Sequence, residues 1–131
     1  MKNQFKKSER LCSKKLIELL FTEGKSFLVY PVKITYLVRE NAAVPPAQAL
    51  ILVSRKRFRK ATRRNRMKRL LREAYRLEKN YFYENLNKLQ KNALIAISYI
   101  ADNEIYITEI RKSVALALKR IIDNYSHETI S

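Results

Sequence analysis

The chain has 131 residues, 47% of them hydrophobic, and its 28 basic and 12 acidic residues give a formal net charge of +16. This length fits a single domain over residues 1–131, and the hydrophobic fraction excludes a chain that is disordered for want of apolar residues. A single cysteine excludes an intrachain disulfide and a Cys-rich zinc site. No apolar run of transmembrane length and no signal-peptide pattern occur, so we expect a cytoplasmic protein without a membrane partner.

The first part of the chain predicts a polar segment followed by a helix. Residues 1–10 are polar and basic, and we expect them to be flexible, as we do residues 126–131. The periodicity of the apolar residues predicts a helix over about residues 13–23. Ser13 is placed to cap its first turn and Gly24 to end it.

The rest of the chain predicts strands and two further helices. Alternating residues over 32–37 and a short apolar run over 49–54 predict two strands, which we expect to form an antiparallel hairpin. A long helix is predicted over about residues 61–89, a strand over 92–101 and a last helix over about 107–125. The fold class that follows is α+β, with helices packed on a small mixed sheet.

Positive charge is concentrated in residues 55–76, here called the basic block. It holds twelve Lys or Arg side chains against one carboxylate, Glu73. On a helix the apolar residues form one stripe and the bases gather opposite it; the stripe contains Met67, Leu70, Leu71, Ala74, Leu77 and Tyr81. An ordinary solvated helix face interleaves carboxylates with its bases, so the missing counter-charge indicates a polyanionic partner.

The composition of the basic block favours nucleic acid among the polyanions. Arginine outnumbers lysine nine to three, and the planar guanidinium fork suits phosphate oxygens and can stack on a base. Asn65 adds an amide that can contact phosphate or base edges, and the free N–H groups near Ala61 strengthen an anion site. Membrane binding would need apolar residues for insertion beside the bases, whereas this apolar stripe is needed to cover the sheet.

The sequence offers no catalytic constellation. One glycine excludes a Gly-rich phosphate loop, no metal-ligand cluster is visible, and the sole histidine, His127, lies in a polar tail where we expect it to be solvated. Cys12 is predicted to be a partly buried structural thiol. We therefore predict no catalytic residue and no metal ligand in this chain.

The stretch RNRMKRLLRE, residues 64–73, resembles the signature of the bacterial ribonuclease P protein component, the basic subunit of an RNA-based enzyme. RLCSKKLIELLFTEG resembles the opening helix of that family, and VSRK resembles its strand before the basic loop. The resemblance extends over roughly residues 8–125. It implies a two-layer α/β sandwich of about four strands and three helices, with a left-handed β-α-β crossover.

The resemblance also implies a function. The protein would assist a catalytic RNA in removing the 5′ leader from precursor tRNA, binding both the RNA subunit and the single-stranded leader as a monomer. The active site and its Mg²⁺ would belong to the RNA, and no cofactor is assigned to the chain itself. Two alternatives stay open: a ribosomal or general RNA-binding protein, and a nuclease that acts alone.

The site residues follow from the charge pattern and the resemblance together. The predicted RNA-binding residues are Lys56, Arg57, Arg59, Lys60, Arg63, Arg64, Asn65, Arg66, Lys68, Arg69, Arg72 and Arg76. The resemblance places the leader in a cleft between the first helix and the sheet, walled by Ile17, Phe21 and Tyr36. Ile17 stands where the family often has phenylalanine, and Tyr99 where it often has a base.

Overall fold

The computed structural model describes residues 4–130 and the side chains of residues 4–125. This part of the chain contains three α-helices and four strands, which confirms the α+β class. In chain order they are α1 (Lys14–Glu23), β1 (Lys25–Val29), β2 (Val32–Arg39), β3 (Ala47–Val53), α2 (Ala61–Leu89), β4 (Asn92–Tyr99) and α3 (Ile107–Ile130). Among the described helices, none has the length and apolar character needed to cross a membrane.

Helix α1 lies where the sequence predicts, and each of its ends has a separate cause. The Ser13 hydroxyl accepts a hydrogen bond from the Leu16 amide at 3.3 Å, which satisfies an otherwise free N–H of the first turn. At the other end, a Cβ on Gly24 would lie 2.4 Å from the Leu20 carbonyl oxygen and 2.8 Å from that of Tyr36. Glycine is needed because the last turn of α1 and strand β2 both pass so close; its φ of −75° suits any residue.

Strand β4 lies inside the sheet, whose order is β1-β2-β4-β3. It pairs antiparallel with β2 and parallel with β3. The predicted hairpin between residues 32–37 and 49–54 is therefore wrong, because β4 separates those strands, and the hairpin in this sheet joins β1 to β2. Burial explains the arrangement: seven of the eight residues of β4 are buried, which suits a strand covered on both faces.

The two faces of the sheet are covered by different helices. Helices α2 and α3 pack on one face, against side chains that include Ile34 and Ile95. Helix α1 covers part of the other face, where Leu20 packs with Leu94. Helix α2 also connects the parallel strands β3 and β4, so its apolar side is held against the sheet. The left-handed sense of this crossover stays a prediction.

Helix α2 has 29 residues and buries a stripe that runs from Met67 to Leu86. Met67, Leu71 and Ala74 are fully buried, as the periodicity predicts, whereas Tyr81 is 44% exposed. The buried positions after Ala74 are Tyr75, Lys79, Phe82 and Leu86. Because these residues face the protein interior, the bases at the start of the helix are left on its other sides.

The segment before α1 packs against α2, which corrects the predicted flexibility of residues 1–10 for its described part. Glu9 is 5% exposed and forms an ion pair with Lys79 of α2. The Tyr83 hydroxyl donates to the same carboxylate at 2.7 Å. Local composition could not indicate this docking, because the partners of Glu9 lie about 70 residues further along the chain.

Candidate nucleic-acid interface

One buried ring determines the path of the loop that begins the basic block. Phe58 is 1% exposed, and its ring lies 5.8 Å from the Tyr99 ring of β4, centroid to centroid. The Phe58 amide also donates to the Ser54 carbonyl at 3.1 Å. The neighbouring bases, Arg57 and Arg59, are exposed. The single apolar residue of the loop therefore holds it to the sheet and leaves its charges outside.

All the bases of the basic block are accessible. Four of the twelve are half-buried and the other eight are exposed; the half-buried ones are Arg64, Lys68, Arg72 and Arg76. Asn65, the amide among the predicted RNA-binding residues, is exposed as well. Long basic side chains can rest their aliphatic stems on the protein while their charged ends stay in water. Each predicted RNA-binding side chain can thus reach a partner.

Two carboxylates from the loop between β4 and α3 contact the start of the basic block. The Asp102 carboxylate lies 2.8 Å from the guanidinium of Arg57. The Glu104 carboxylate lies 3.4 Å from the guanidinium of Arg63 and 3.3 Å from that of Arg66. One carboxylate is thus shared by two guanidinium groups. The prediction that the block has almost no counter-charge is therefore corrected: Asp102 and Glu104 supply two negative charges from a distant part of the sequence.

The third carboxylate in contact with the block is Glu73, which pairs with Arg76 one turn later. The Arg76 guanidinium lowers the pKa of the Glu73 carboxyl, and Glu73 raises the pKa of Arg76, so both groups are charged at neutral pH. Twelve bases and the three carboxylates that contact them in the described part of the chain leave nine excess positive charges on the block. The excess is smaller than the sequence indicates, yet it remains large.

The guanidinium of Arg64 has a structural role. It donates to the Phe58 carbonyl at 3.1 Å and to the Arg59 carbonyl at 3.4 Å, which ties the loop to α2. The first turn of α2 contains no acidic residue, and Lys60 provides no side-chain cap. Among the bases of the block that follow Arg66 on α2, three have no carboxylate partner in the described part of the chain: Lys68, Arg69 and Arg72. Their charges are not neutralised by a described carboxylate and are available to an outside anion.

The predicted leader cleft is only partly assembled. Ile17 and Phe21 lie on α1, and Phe21 is 50% exposed. Tyr36 is 6% exposed and packs with Phe27, ring centroids 5.8 Å apart, in the core beneath α2 and α3. Its assignment to the cleft is wrong, because alternate residues of a strand face opposite sides and those of β2 that face α1 are Thr35 and its odd-numbered neighbours.

A different set of side chains lies open on the face of the sheet that α1 partly covers. The registers place one residue from each strand side by side: Leu28, Lys33, Ser98 and Leu52, here called the open row. Leu28 is 62% exposed and Leu52 is 37% exposed. Strand β3 runs from Leu52 directly into the basic block. The sequence pattern missed this row because it depends on pairings between distant strands.

The remaining candidate groups are separate from this surface or fall outside the described side chains. Cys12 is exposed, which corrects its prediction as a partly buried thiol. No cluster of three or more His, Cys, Asp or Glu that could hold a metal occurs within residues 4–125. His127 lies beyond the side chains that the structure describes.

Comparison with known proteins agrees with this geometry. The family model described as Ribonuclease P matches residues 5–121. The chain is 39% identical over 118 residues to the ribonuclease P protein component of Porphyromonas gingivalis strain W83, covering 90% of this chain and 86% of that protein. It is also 39% identical over 84 residues to the ribonuclease P protein component of Chlorobium phaeobacteroides, covering 62% of this chain and 58% of that protein.

Two solved structures have the same fold. The ribonuclease P protein from Thermotoga maritima superposes with a TM-score of 0.62 at 28% identity, covering 86% of this chain and 96% of that one. The Staphylococcus aureus ribonuclease P protein gives a TM-score of 0.63 at 21% identity, which shows the fold alone, over 88% and 96% of the two chains. The family match over most of the chain and the close relatives show that this chain belongs to the ribonuclease P protein family.

Proposed function

We propose that this chain is the RNA-binding subunit of a ribonuclease P, in which it helps a catalytic RNA to remove the 5′ leader from precursor tRNA. The observation that carries the proposal is the basic block: twelve accessible bases, with three carboxylates in contact. A surface with that excess of positive charge destabilises the free protein by self-repulsion. An RNA backbone would supply the missing counter-charge.

The basic block is the proposed contact with the RNA subunit. Nine of its twelve bases are arginines, whose forked donors fit phosphate oxygens in pairs. We expect roughly six to eight phosphates to be contacted. A plot of the logarithm of RNA affinity against the logarithm of salt concentration should then have a negative slope of roughly 0.7 to 0.9 for each contact. Lys68, Arg69 and Arg72 should contribute more than Arg63, Arg66 and Arg76, since no carboxylate of the described chain competes for them.

The sheet face beside α1 is the proposed path of the single-stranded leader. Phe21 offers a half-exposed ring on which a base can stack, and stacking on an aromatic ring tolerates any base sequence. The open row provides apolar contacts at Leu28 and Leu52 and one positive charge at Lys33. Ile17 also lies on α1 but has no aromatic ring, so Phe21 provides the aromatic contact between this helix and the leader.

The chemistry of cleavage is assigned to the RNA subunit. In this division of labour Mg²⁺ is bound by the RNA, and the protein reduces repulsion between phosphates and holds the leader in place. The chain would act as a monomer in the complex and in the cytoplasm.

A reconstitution experiment tests the proposal against its alternatives. Leader-bearing precursor tRNA is incubated at low Mg²⁺ with the protein, with a bacterial ribonuclease P RNA, or with both, and cleavage at the leader junction is measured. We expect cleavage to accelerate only in the mixture. Binding without acceleration would indicate a general RNA-binding protein, and cleavage by the protein alone would indicate a nuclease that acts by itself.

A further inference from the structure

A groove between the N-terminal segment and α2 concentrates positive charge beside the later part of the basic block. It has a volume of about 370 Å³ and is lined by Phe5, Arg10, Arg69, Arg72, Glu73 and Arg76. We call it the arginine groove. Four guanidinium groups and one carboxylate thus face the same space, although they come from two separate parts of the sequence.

The helix wall of the groove follows from residue spacing. Arg69, Arg72 and Arg76 are three and four residues apart, so they lie on one side of α2. Both oxygens of Glu73 are already engaged by Arg76. Arg69 and Arg72 have no carboxylate partner among the described side chains. The groove therefore keeps a strong positive excess after its own carboxylate is paired.

The opposite wall is Arg10, which the sequence pattern did not single out. Its guanidinium lies 5.5 Å from the centre of the Phe5 ring, and that ring packs edge-on against Tyr75 of α2 at 5.3 Å. The backbone beside it is held in place, because the Leu11 amide donates to the Ala49 carbonyl of β3 at 2.9 Å. Arg10 is thus positioned by packing and by the strand, and its own side chain is exposed.

The groove continues into a second, less charged space of about 250 Å³. Phe5, Arg10 and Arg72 line both spaces, and the floor of the second consists of Leu11, Cys12, Ala49, Leu50 and Ile51. A space lined by four arginines next to one with two arginines and an apolar floor matches the two halves of a nucleotide. The phosphate suits the guanidinium forks, and the sugar or base suits the apolar floor.

We propose that the arginine groove binds one phosphodiester of an RNA strand, with Arg10, Arg69 and Arg72 on its oxygens and the attached nucleoside in the adjoining space. This deepens the proposed function and depends on it, since the partner is taken to be RNA. It adds Arg10 and Phe5 to the interface. It also makes the N-terminal segment one side of a two-sided phosphate site.

Paired variants of the full-length protein test the site through RNA affinity. Arg10→Gln and Arg72→Gln should each lower the affinity for ribonuclease P RNA about tenfold and reduce the salt slope by about one contact. Lys7→Gln is the matched control, because Lys7 is exposed on the same segment and does not line the groove. Equal losses for Arg10→Gln and Lys7→Gln would overturn the proposal.

The double variant tests whether both arginines hold the same phosphate. If they do, Arg10→Gln combined with Arg72→Gln should weaken binding by clearly less than the product of the single losses. Losses that multiply would mean two independent contacts and would reject the shared site. Circular dichroism of each variant checks that the helices are retained.

Titration with inorganic phosphate provides an arm without RNA. The Nε–H resonances of Arg10, Arg69 and Arg72 should shift together and saturate, and Arg10→Gln should weaken the response of the other two. Shifts that stay linear in phosphate, or that do not depend on Arg10, would reject the site. If the protein enhances cleavage but the variants and the phosphate titration do not give the expected results, the groove proposal is rejected and the proposed function stands. If they give the expected results but the protein does not enhance cleavage, the proposed function alone is rejected.

Discussion

Lys79, in the middle of α2, and Glu9, before α1, form an ion pair whose side chains are 4% and 6% exposed. The pair joins residues 70 positions apart and holds the N-terminal segment against the helix. The carboxylate also accepts hydrogen bonds from the Tyr83 hydroxyl at 2.7 Å and from the Lys6 amide at 2.8 Å. Both charges are therefore partnered, which is the condition under which buried charges are tolerated.

Breaking this pair on one side should be costly. Lys79→Met leaves the Glu9 carboxylate buried without its cation, and we expect the free energy of unfolding to fall by about 3–5 kcal/mol, measured by urea denaturation. The double variant Glu9→Leu with Lys79→Met should recover most of that loss. Lys88→Met, an exposed lysine on the same helix, should change it by less than about 0.5 kcal/mol. A loss below about 1 kcal/mol for Lys79→Met would contradict the buried pair.

The same carboxylate should make stability depend on pH. Burial raises the pKa of Glu9, but hydrogen bonds from Lys79, the Lys6 amide and Tyr83 outweigh it, so the pKa lies below its usual value of 4.5. Because the pKa is lowered in the folded protein, the Glu9 carboxylate stabilises the fold above about pH 4.5. This stabilisation is lost as the pH falls through the pKa that Glu9 has in the folded protein. The stability difference between the wild type and Glu9→Gln should therefore narrow from pH 6 to pH 3. A difference that does not change over this range would refute the assignment.

Glu104 should compete with RNA for two arginines. It lies within 3.4 Å of both Arg63 and Arg66, so Glu104→Gln should release them, raise RNA affinity about threefold and steepen the salt dependence by roughly one contact. Glu109→Gln removes the same charge from an exposed pair with Lys112 on α3 and serves as the control. If both variants raise the affinity equally, net charge alone is responsible and the competition is excluded.

Phe21 should matter for the leader and not for stability. Phe21→Ala removes a half-exposed ring, and we expect the preference for leader-bearing over mature tRNA to fall by about 1 kcal/mol or more, measured by competitive binding to the complete complex. Leu116→Ala, an exposed apolar residue on α3, is the control and should leave the preference unchanged. Tyr36→Phe should also leave it unchanged; a loss there with none for Phe21→Ala would reverse the assignment of the cleft.

Local patterns predicted the helices well and the strand partners poorly. The bounds of α1 and α2 agree with the caps and apolar spacing because those signals lie within one element. The pairing of β3 failed because its partner, β4, follows only after the whole of α2. Tyr36 failed for a related reason: which residues of β2 face α1 depends on the register of the sheet, and a shift of one residue exchanges the two faces.

The electrostatics of the interface were predictable in sign and less so in detail. The excess of bases in residues 55–76 is visible in composition, and it persists in the structure. Asp102, Glu104 and Arg10 were missed because they come from outside that stretch and reach it only through the fold. Charge contacts between distant segments leave no periodic pattern in a sequence.

The bridge between Arg10 and Ala49 also bears on solubility. Strand β3 ends the sheet on one side, and an uncovered strand of this kind presents unpaired N–H and C=O groups to which another chain can add. The N-terminal segment lies along that strand and occupies part of it. A proteolytic cut between residues 11 and 13 would therefore remove a shield against aggregation together with one wall of the arginine groove.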